Sequence, residues 1–222
     1  MRYENITGGI FLDRLNRFVA HVEMNGKTET VHVKNTGRCR ELLLPGVEVF
    51  LTEPGTPGRK TRYDLVAVRK GNGVLFNIDS QAPNKVVKDW LAGQVFNRVI
   101  PEYSYGKSRI DFYMERGDLK YLMEVKGCTL EVEGIGYFPD APTERGVGHL
   151  RELICAVRSG FLAIAAFVIQ MDGVTQVRPN IETHPEFAAA FAEAVAEGVQ
   201  IMMLPCHVEP DRLDILPGFE VR

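Results

Sequence analysis

The 222-residue chain has one tryptophan, four cysteines and five histidines, and none of them falls into a pattern that a metal cluster or disulfide scaffold requires. Cys39, Cys128, Cys155 and Cys206 are scattered and form no Cys-x-x-Cys pair, which excludes a zinc ribbon and argues against a disulfide framework. His21, His32, His149, His184 and His207 form no close pair either. A metal bound by this chain would therefore be held by carboxylates. No apolar run approaches the ~18–20 residues of a membrane span, and the longest, at residues 161–169, has nine. The first residues lack the apolar segment of a signal peptide. Internal repeats and low-complexity stretches are also absent. These absences lead to the expectation of a cytoplasmic protein with no membrane partner.

With 45% hydrophobic and 25% charged residues, the composition is that of a folded chain, long enough for one large domain or two small ones. The net charge of -3 conceals an asymmetry: residues 1–80 carry a net +3 and residues 81–222 a net -6. Residues 34–70 hold eight Lys and Arg against four acids. A basic segment joined to an acidic one fits a polyanion-binding module coupled to a part that gathers metal cations.

The period of the hydrophobic pattern changes near residue 80. Before it, short strands are predicted at 17–24, 30–34, 46–52, 63–69 and 74–78. The Asn25-Gly26 and Gly71-Asn72-Gly73 turns separate them, with one helical turn at 38–44. Five strands in about 80 residues indicate a small barrel; an OB-fold leads, and an SH3-like barrel also fits the pattern. After it, the pattern predicts a helix at 84–99, strands at 109–115 and 121–130, and a helix at 146–159. An apolar strand at 162–170, a strand at 174–178, an Ala-rich helix at 184–197 and a strand at 201–206 follow. The expectation is a two-domain α+β/α/β protein, with a barrel at 1–80 and a mixed α/β domain at 81–222.

Chemistry concentrates in the second part. In Glu124-Val125-Lys126, the Glu and Lys share one strand face about 7 Å apart, and Asp111 in the preceding strand can stand beside Glu124 if the two strands pair. Two adjacent carboxylates plus the Val125 backbone carbonyl form an oxygen set suited to Mg²⁺ or Mn²⁺. Such a cation polarises a phosphoryl oxygen and activates water, and Lys126 would stabilise the developing charge. A second cluster, Thr143-Glu144-Arg145 with His149 one turn on, places an N-cap, an acid, a cation and an imidazole at a helix start that attracts phosphate. In the barrel, Arg38, Arg40, Arg59, Lys60 and Arg62 are candidates for gripping a DNA backbone without reading bases. Phe11, Phe18, Phe50, Tyr63 and Phe76 could stack bases, although the alternating patterns around Phe18 and Phe50 suit core packing better.

The order helix, two strands bearing Asp…Glu-x-Lys, helix, apolar strand resembles PD-(D/E)xK nucleases, which have a restriction-endonuclease-like fold. That likeness implies catalytic roles for Asp111, Glu124 and Lys126, with Asp89 as a metal-side acid from the first helix. Four stretches together resemble the sugar fermentation stimulation protein A family. They are residues 35–43 (Asn-Thr-Gly-Arg-Cys-Arg-Glu-Leu-Leu), 108–112 (Ser-Arg-Ile-Asp-Phe), 124–130 (Glu-Val-Lys-Gly-Cys-Thr-Leu), and Phe138-Pro139-Asp140 through His149-Leu150. The resemblance implies an N-terminal OB-fold, a C-terminal nuclease-like domain, DNA binding, and a link to regulation of sugar (maltose) metabolism; with no recognition helix or base-reading motif in the sequence, that DNA binding is expected to be non-sequence-specific. It also marks a departure, because the family usually has Glu where this chain has Asp89. Two readings compete: a Mg²⁺-dependent nuclease, and a DNA-binding regulator that keeps a nuclease fold as scaffold. A sugar-responsive regulator is a third, resting on the family's name. The sequence leaves open whether the chain acts as a monomer or a homodimer.

Overall fold

The computed structural model describes residues 1–221 except Thr36, Thr56 and Lys107; Thr36, in the first family-like stretch, thus lies outside the described residues. The first half is a closed barrel built from β1 (Ile6–Asn16), β2 (Val19–Met24), β3 (Lys27–Val33), β4 (Glu48–Thr52) and β5 (Asp64–Arg69). β1 pairs with both β2 and β4, β2 with β3, and β4 with β5. A parallel contact of β3 with β5, His32 opposite Asp64, closes the ring, which is OB-fold connectivity. Asn25 (φ 52°) and Gly26 (φ 73°) make the β2–β3 turn, as that dipeptide favours. The expected helical turn between β3 and β4 is a single turn closed by Leu43 N–H on the Cys39 carbonyl at 2.9 Å. β6 (Leu75–Asn77) extends β5.

Two barrel expectations are corrected. β1 was not anticipated, because Gly8-Gly9 interrupts its pattern; a Cβ on Gly9 would collide with Val22 and Met24 of the neighbouring strand, so close strand packing requires glycine there. Phe18, expected in the core, is 49% exposed at the tip of the β1–β2 hairpin, whereas Phe11 and Phe76 are buried.

The second half is a six-stranded mixed sheet, β15-β14-β12-β9-β8-β7, with helices on both faces. Its elements are α1 (Ala82–Leu91), β7 (Arg98–Tyr105), β8 (Ser108–Arg116), β9 (Leu119–Cys128), α2 (Glu144–Arg158), β12 (Leu162–Ile169), α3 (Pro185–Ala196), β14 (Gln200–Glu209) and β15 (Arg212–Ile215). β12, apolar throughout, lies at the centre and runs parallel to β9 and β14. Both of its faces are buried, which is why its sequence does not alternate. Three short strands, β10 (Leu130–Val132), β11 (Ile135–Phe138) and β13 (Val177–Pro179), form a separate small sheet. The helix expected at 84–99 ends at Leu91. Val95 is exposed, and residues 98–105 form edge strand β7, where Pro101 is tolerated. Among the described residues no helix is long and apolar enough to cross a membrane.

The halves are fastened by a buried polar network. Asp79, fully buried, bonds the Lys34 ammonium (3.2 Å), accepts from the Tyr3 hydroxyl (3.1 Å) and accepts from Gln81 N–H (2.9 Å). Gln170, at the end of β12, donates to the Asn77 side chain and to the Asp79 carbonyl. The first residues of the chain join the second half, with Met1 N–H on the Leu213 carbonyl and Tyr3 N–H on Asp211.

Candidate metal-dependent active site

The β8–β9 ladder runs inward from the Arg116–Leu119 turn and stops at Phe112 opposite Met123. One residue further on, Asp111 and Glu124 are next in register, and there the strands part. Instead of a backbone ladder bond, the Val125 N–H donates to Asp111 Oδ2 (2.7 Å). The other oxygen, Oδ1, accepts from the side-chain amide of Asn84 (2.6 Å) in the first turn of α1. Opening the ladder frees two carboxylates to face one pocket of about 240 Å³, lined also by Lys126, Thr143, Arg145 and His149.

Glu124 is buried at 3% exposure. Its Oε1 accepts from Lys126 Nζ (2.7 Å) and bonds His149 Nδ1, while its Oε2 has no partner among the described residues. Burial pushes the Glu124 carboxyl up, but His149 and Lys126 outweigh it and hold the group below the ordinary carboxylate value. Asp111 goes the other way: burial and then the negative charge of Glu124 raise it, although Val125 N–H and Asn84 favour its charged form. The pair thus contains one carboxylate whose proton affinity is lowered and one whose proton affinity is raised by burial and its neighbour's charge.

His149, on α2, sits between cations. Lys126 Nζ lies 2.8 Å from Nδ1, and Arg145 Nε donates to Nε2 (3.2 Å) one helical turn earlier. His149 Nδ1 thus faces both the Lys126 ammonium and Glu124 Oε1. Thr143 caps α2 by accepting from Gly146 N–H (3.0 Å). Of the sequence candidates, Asp111, Glu124, Val125, Lys126, Thr143, Arg145 and His149 all line the same pocket. Glu144 is 92% exposed and lies beside His184. Asp89 is also elsewhere: it is exposed and lies 3.5 Å from the Met1 ammonium. The α1 residue at the site is Asn84, which sequence reasoning passed over because it looked for an acid; the available signal was a lone amide beside Pro83 in the helix's first turn.

Residues 81–212 match the family model described as the sugar fermentation stimulation protein RE domain, and residues 12–78 match the SfsA N-terminal OB domain. A sugar fermentation stimulation protein homolog from Desulfitobacterium hafniense is 52% identical over 96% of this chain and 95% of its own length. One from Ruminiclostridium cellulolyticum is 48% identical over the whole of both chains. The chain belongs to the SfsA family. A solved structure of Pyrococcus furiosus SfsA in complex with Ca²⁺ matches with a TM-score of 0.84 at 30% identity, covering all of this chain and 98% of that one.

In this SfsA chain the barrel's basic candidates are not equivalent. Arg59 is paired with buried Asp64, and Arg62 makes a two-pronged bond to Glu53 (2.8 and 3.0 Å) while lying over the Tyr63 ring. Among the described residues, Arg38, Arg40 and Lys60 have no carboxylate partner and are exposed. As for a metal, no three His, Cys, Asp or Glu among the described residues converge as a ready-made cage. The donor set nevertheless fits a hard divalent cation. Glu124 Oε2 is buried without a partner among the described residues, and a cation beside it would relieve the Glu124 repulsion that, after burial, raises Asp111. Such ions commonly complete their shell with water and substrate phosphate rather than protein.

Proposed function

We propose that this protein is a Mg²⁺- or Mn²⁺-dependent phosphodiesterase acting on DNA, with the barrel gripping the polyanion and the Asp111–Glu124–Lys126 pocket cutting it. The observation that carries this reading is the partnerless, buried Glu124 Oε2 beside a carboxylate of raised proton affinity and a lysine. That SfsA of Pyrococcus furiosus was solved with Ca²⁺, an oxygen-seeking cation, supports it.

When bound, the divalent cation supplies Lewis acidity toward the scissile phosphate and lowers the pKa of a water. Asp111, Glu124 and the Val125 carbonyl would hold it. Lys126, oriented by Glu124, places its ammonium toward the phosphoryl oxygens. Arg145 and the capped start of α2 offer further positive potential to the phosphate, and His149 fixes the Glu124 carboxylate. Four free thiols, three of them buried, suit a reducing compartment such as the cytoplasm. A sugar-fermentation phenotype would follow from action on DNA rather than from binding a sugar.

A second reading, a DNA-binding regulator without turnover, draws on one observation: α1 presents an amide, Asn84, to Asp111 rather than a carboxylate. The test is incubation of purified protein with single- and double-stranded DNA plus Mg²⁺, Mn²⁺ or EDTA. The nuclease reading expects metal-dependent cleavage by wild type that disappears in Asp111→Ala and Lys126→Ala while DNA binding persists. DNA left intact with every cation would leave the regulator.

A further inference from the structure

Arg14 is the organising residue of a second basic site. From β1 it donates all five guanidinium N–H groups to backbone carbonyls: those of Asn16, Arg17, Asn35, Gly37 and Arg38, at 2.7–3.2 Å. Burial lowers its pKa, as expected of a group embedded in the scaffold. The result ties the β1–β2 hairpin tip to the loop after β3 and leaves a concavity of about 330 Å³. Arg17, Arg38 and Arg40 line it, and no carboxylate among the described residues pairs with any of them. At the same tip, next to Arg17, Phe18 and Leu15 are 49% and 58% exposed. The exposed Phe18 ring, next in sequence to Arg17, offers a flat apolar face to a ring-shaped ligand.

The concavity also shares lining residues with neighbouring hollows. Gly37 lines both it and a cleft of about 290 Å³ between the two halves, and Phe138 and Thr143 line both that cleft and the catalytic pocket. This chain of small hollows can receive a flexible strand nucleotide by nucleotide, whereas a stiff duplex would bridge over them.

We propose that the β1–β2 tip is a subsite for single-stranded nucleic acid, in which Phe18 stacks an unpaired base and Arg17, Arg38 and Arg40 hold flanking phosphates of a strand leading to the Glu124 pocket. The proposal rests on the nucleic-acid reading of the pocket and specifies its substrate form. Stacking on one aromatic ring and pairing with unneutralised guanidinium groups are the two contacts that sequence-tolerant strand binding uses. The β1–β2 connection is also where OB barrels take up oligonucleotides.

The test is fluorescence anisotropy of a fluorescein-labelled oligodeoxythymidine with the full chain, in EDTA so that nothing is cut. Phe18→Ala is expected to weaken binding about tenfold, Phe18→Trp to restore it, and neither to alter binding of a blunt hairpin duplex. Arg17→Ala and Arg40→Ala are each expected to reduce the slope of log K against log salt by about 0.7, whereas Phe18→Ala keeps the wild-type slope. A Phe18→Ala protein that binds the oligonucleotide as tightly as wild type, or that loses duplex binding equally, overturns the subsite. Cleavage measured separately in Mn²⁺ keeps the two readings apart. Wild type that binds through Phe18 yet never cuts retains the subsite and removes the nuclease. Wild type that cuts while Phe18→Ala binds normally does the reverse.

Discussion

The Asn84 amide donates to Asp111 Oδ1 at 2.6 Å, so the first turn of α1 holds this pocket carboxylate with a neutral group. An amide steadies Asp111 without adding charge, and cation affinity rises with the number of charged ligands. Asn84→Asp is therefore expected to tighten Mn²⁺ binding about tenfold, measured by titration calorimetry without DNA. Asn84→Ala, which removes a donor from Asp111, should weaken binding or turnover by about 10–100-fold. Unchanged Mn²⁺ affinity in both variants would show that α1 does not face the cation.

Asp111 also makes the metal-free protein pH-sensitive. Burial and Glu124 raise its folded-state pKa above the unfolded value, so its stabilising contribution is present in acid and is lost as pH rises through the raised value. Glu124, held low by His149 and Lys126 against its burial, has the opposite sign: its contribution exists above the unfolded value and is lost as pH falls through the depressed one. Asp111→Asn should then raise the Tm of cation-free protein at pH 7 by on the order of 2–4 °C, with no gain in acid. Mn²⁺ should raise the Tm of wild type but not of this variant. A variant less stable than wild type at pH 7 would contradict the assignment.

A buried carboxylate, Asp79, sits at the centre of the polar network that joins the halves. Asp79 is fully buried and Lys34 is its cationic partner, so Lys34→Met leaves a buried charge uncompensated. That loss is expected to cost about 3 kcal/mol, read from the urea midpoint at constant m-value. Asp79→Asn, which keeps the shape and removes the charge, should cost less. A Lys34→Met effect below about 1 kcal/mol would mean that water reaches the pair.

Where the sequence pattern is governed by one dominant interaction, it was readable. Residues 162–169 are apolar on every position because β12 is covered on both faces, and Glu124-Val125-Lys126 alternates because only one face of β9 carries the pocket. Failures came where two influences shared a residue. Val95 and Val99 continue the helical spacing of α1, yet the chain turns at residues 92–94 and Val99 belongs to β7. Phe18 fits the alternation of β2 but stands one residue before that strand, at a hairpin tip held by the Phe18 N–H on Asn16 Oδ1. Asn84 was missed because its role depends on the approach of α1 to β8, a tertiary relation with no local periodicity. The pairing of Arg59 and Arg62 is not legible locally, because their partners, Asp64 and Glu53, lie five and nine residues away.

Those last two pairings give the loop between β4 and β5 a distinctive expected behaviour. A guanidinium already bonded to a carboxylate must break or share that bond to meet a phosphate, so it contributes little to counterion release. Arg62→Ala should change affinity for a double-stranded fragment by less than about twofold and leave the salt slope intact, whereas Lys60→Ala, at an exposed residue with no carboxylate partner among the described residues, should lower the slope by about 0.9. Glu53→Gln, which frees Arg62, should tighten binding. Arg59→Ala belongs to another class: Asp64 is buried and, among the described residues, would keep the His32 ring at 3.0 Å as its side-chain partner, so the expected loss is about 2 kcal/mol of stability with DNA affinity little changed. Binding isotherms from 50 to 200 mM salt paired with urea unfolding separate these outcomes. A drop in slope for Arg62→Ala equal to that for Lys60→Ala would show that the Glu53 pair opens on DNA and that the whole loop acts as one cationic surface.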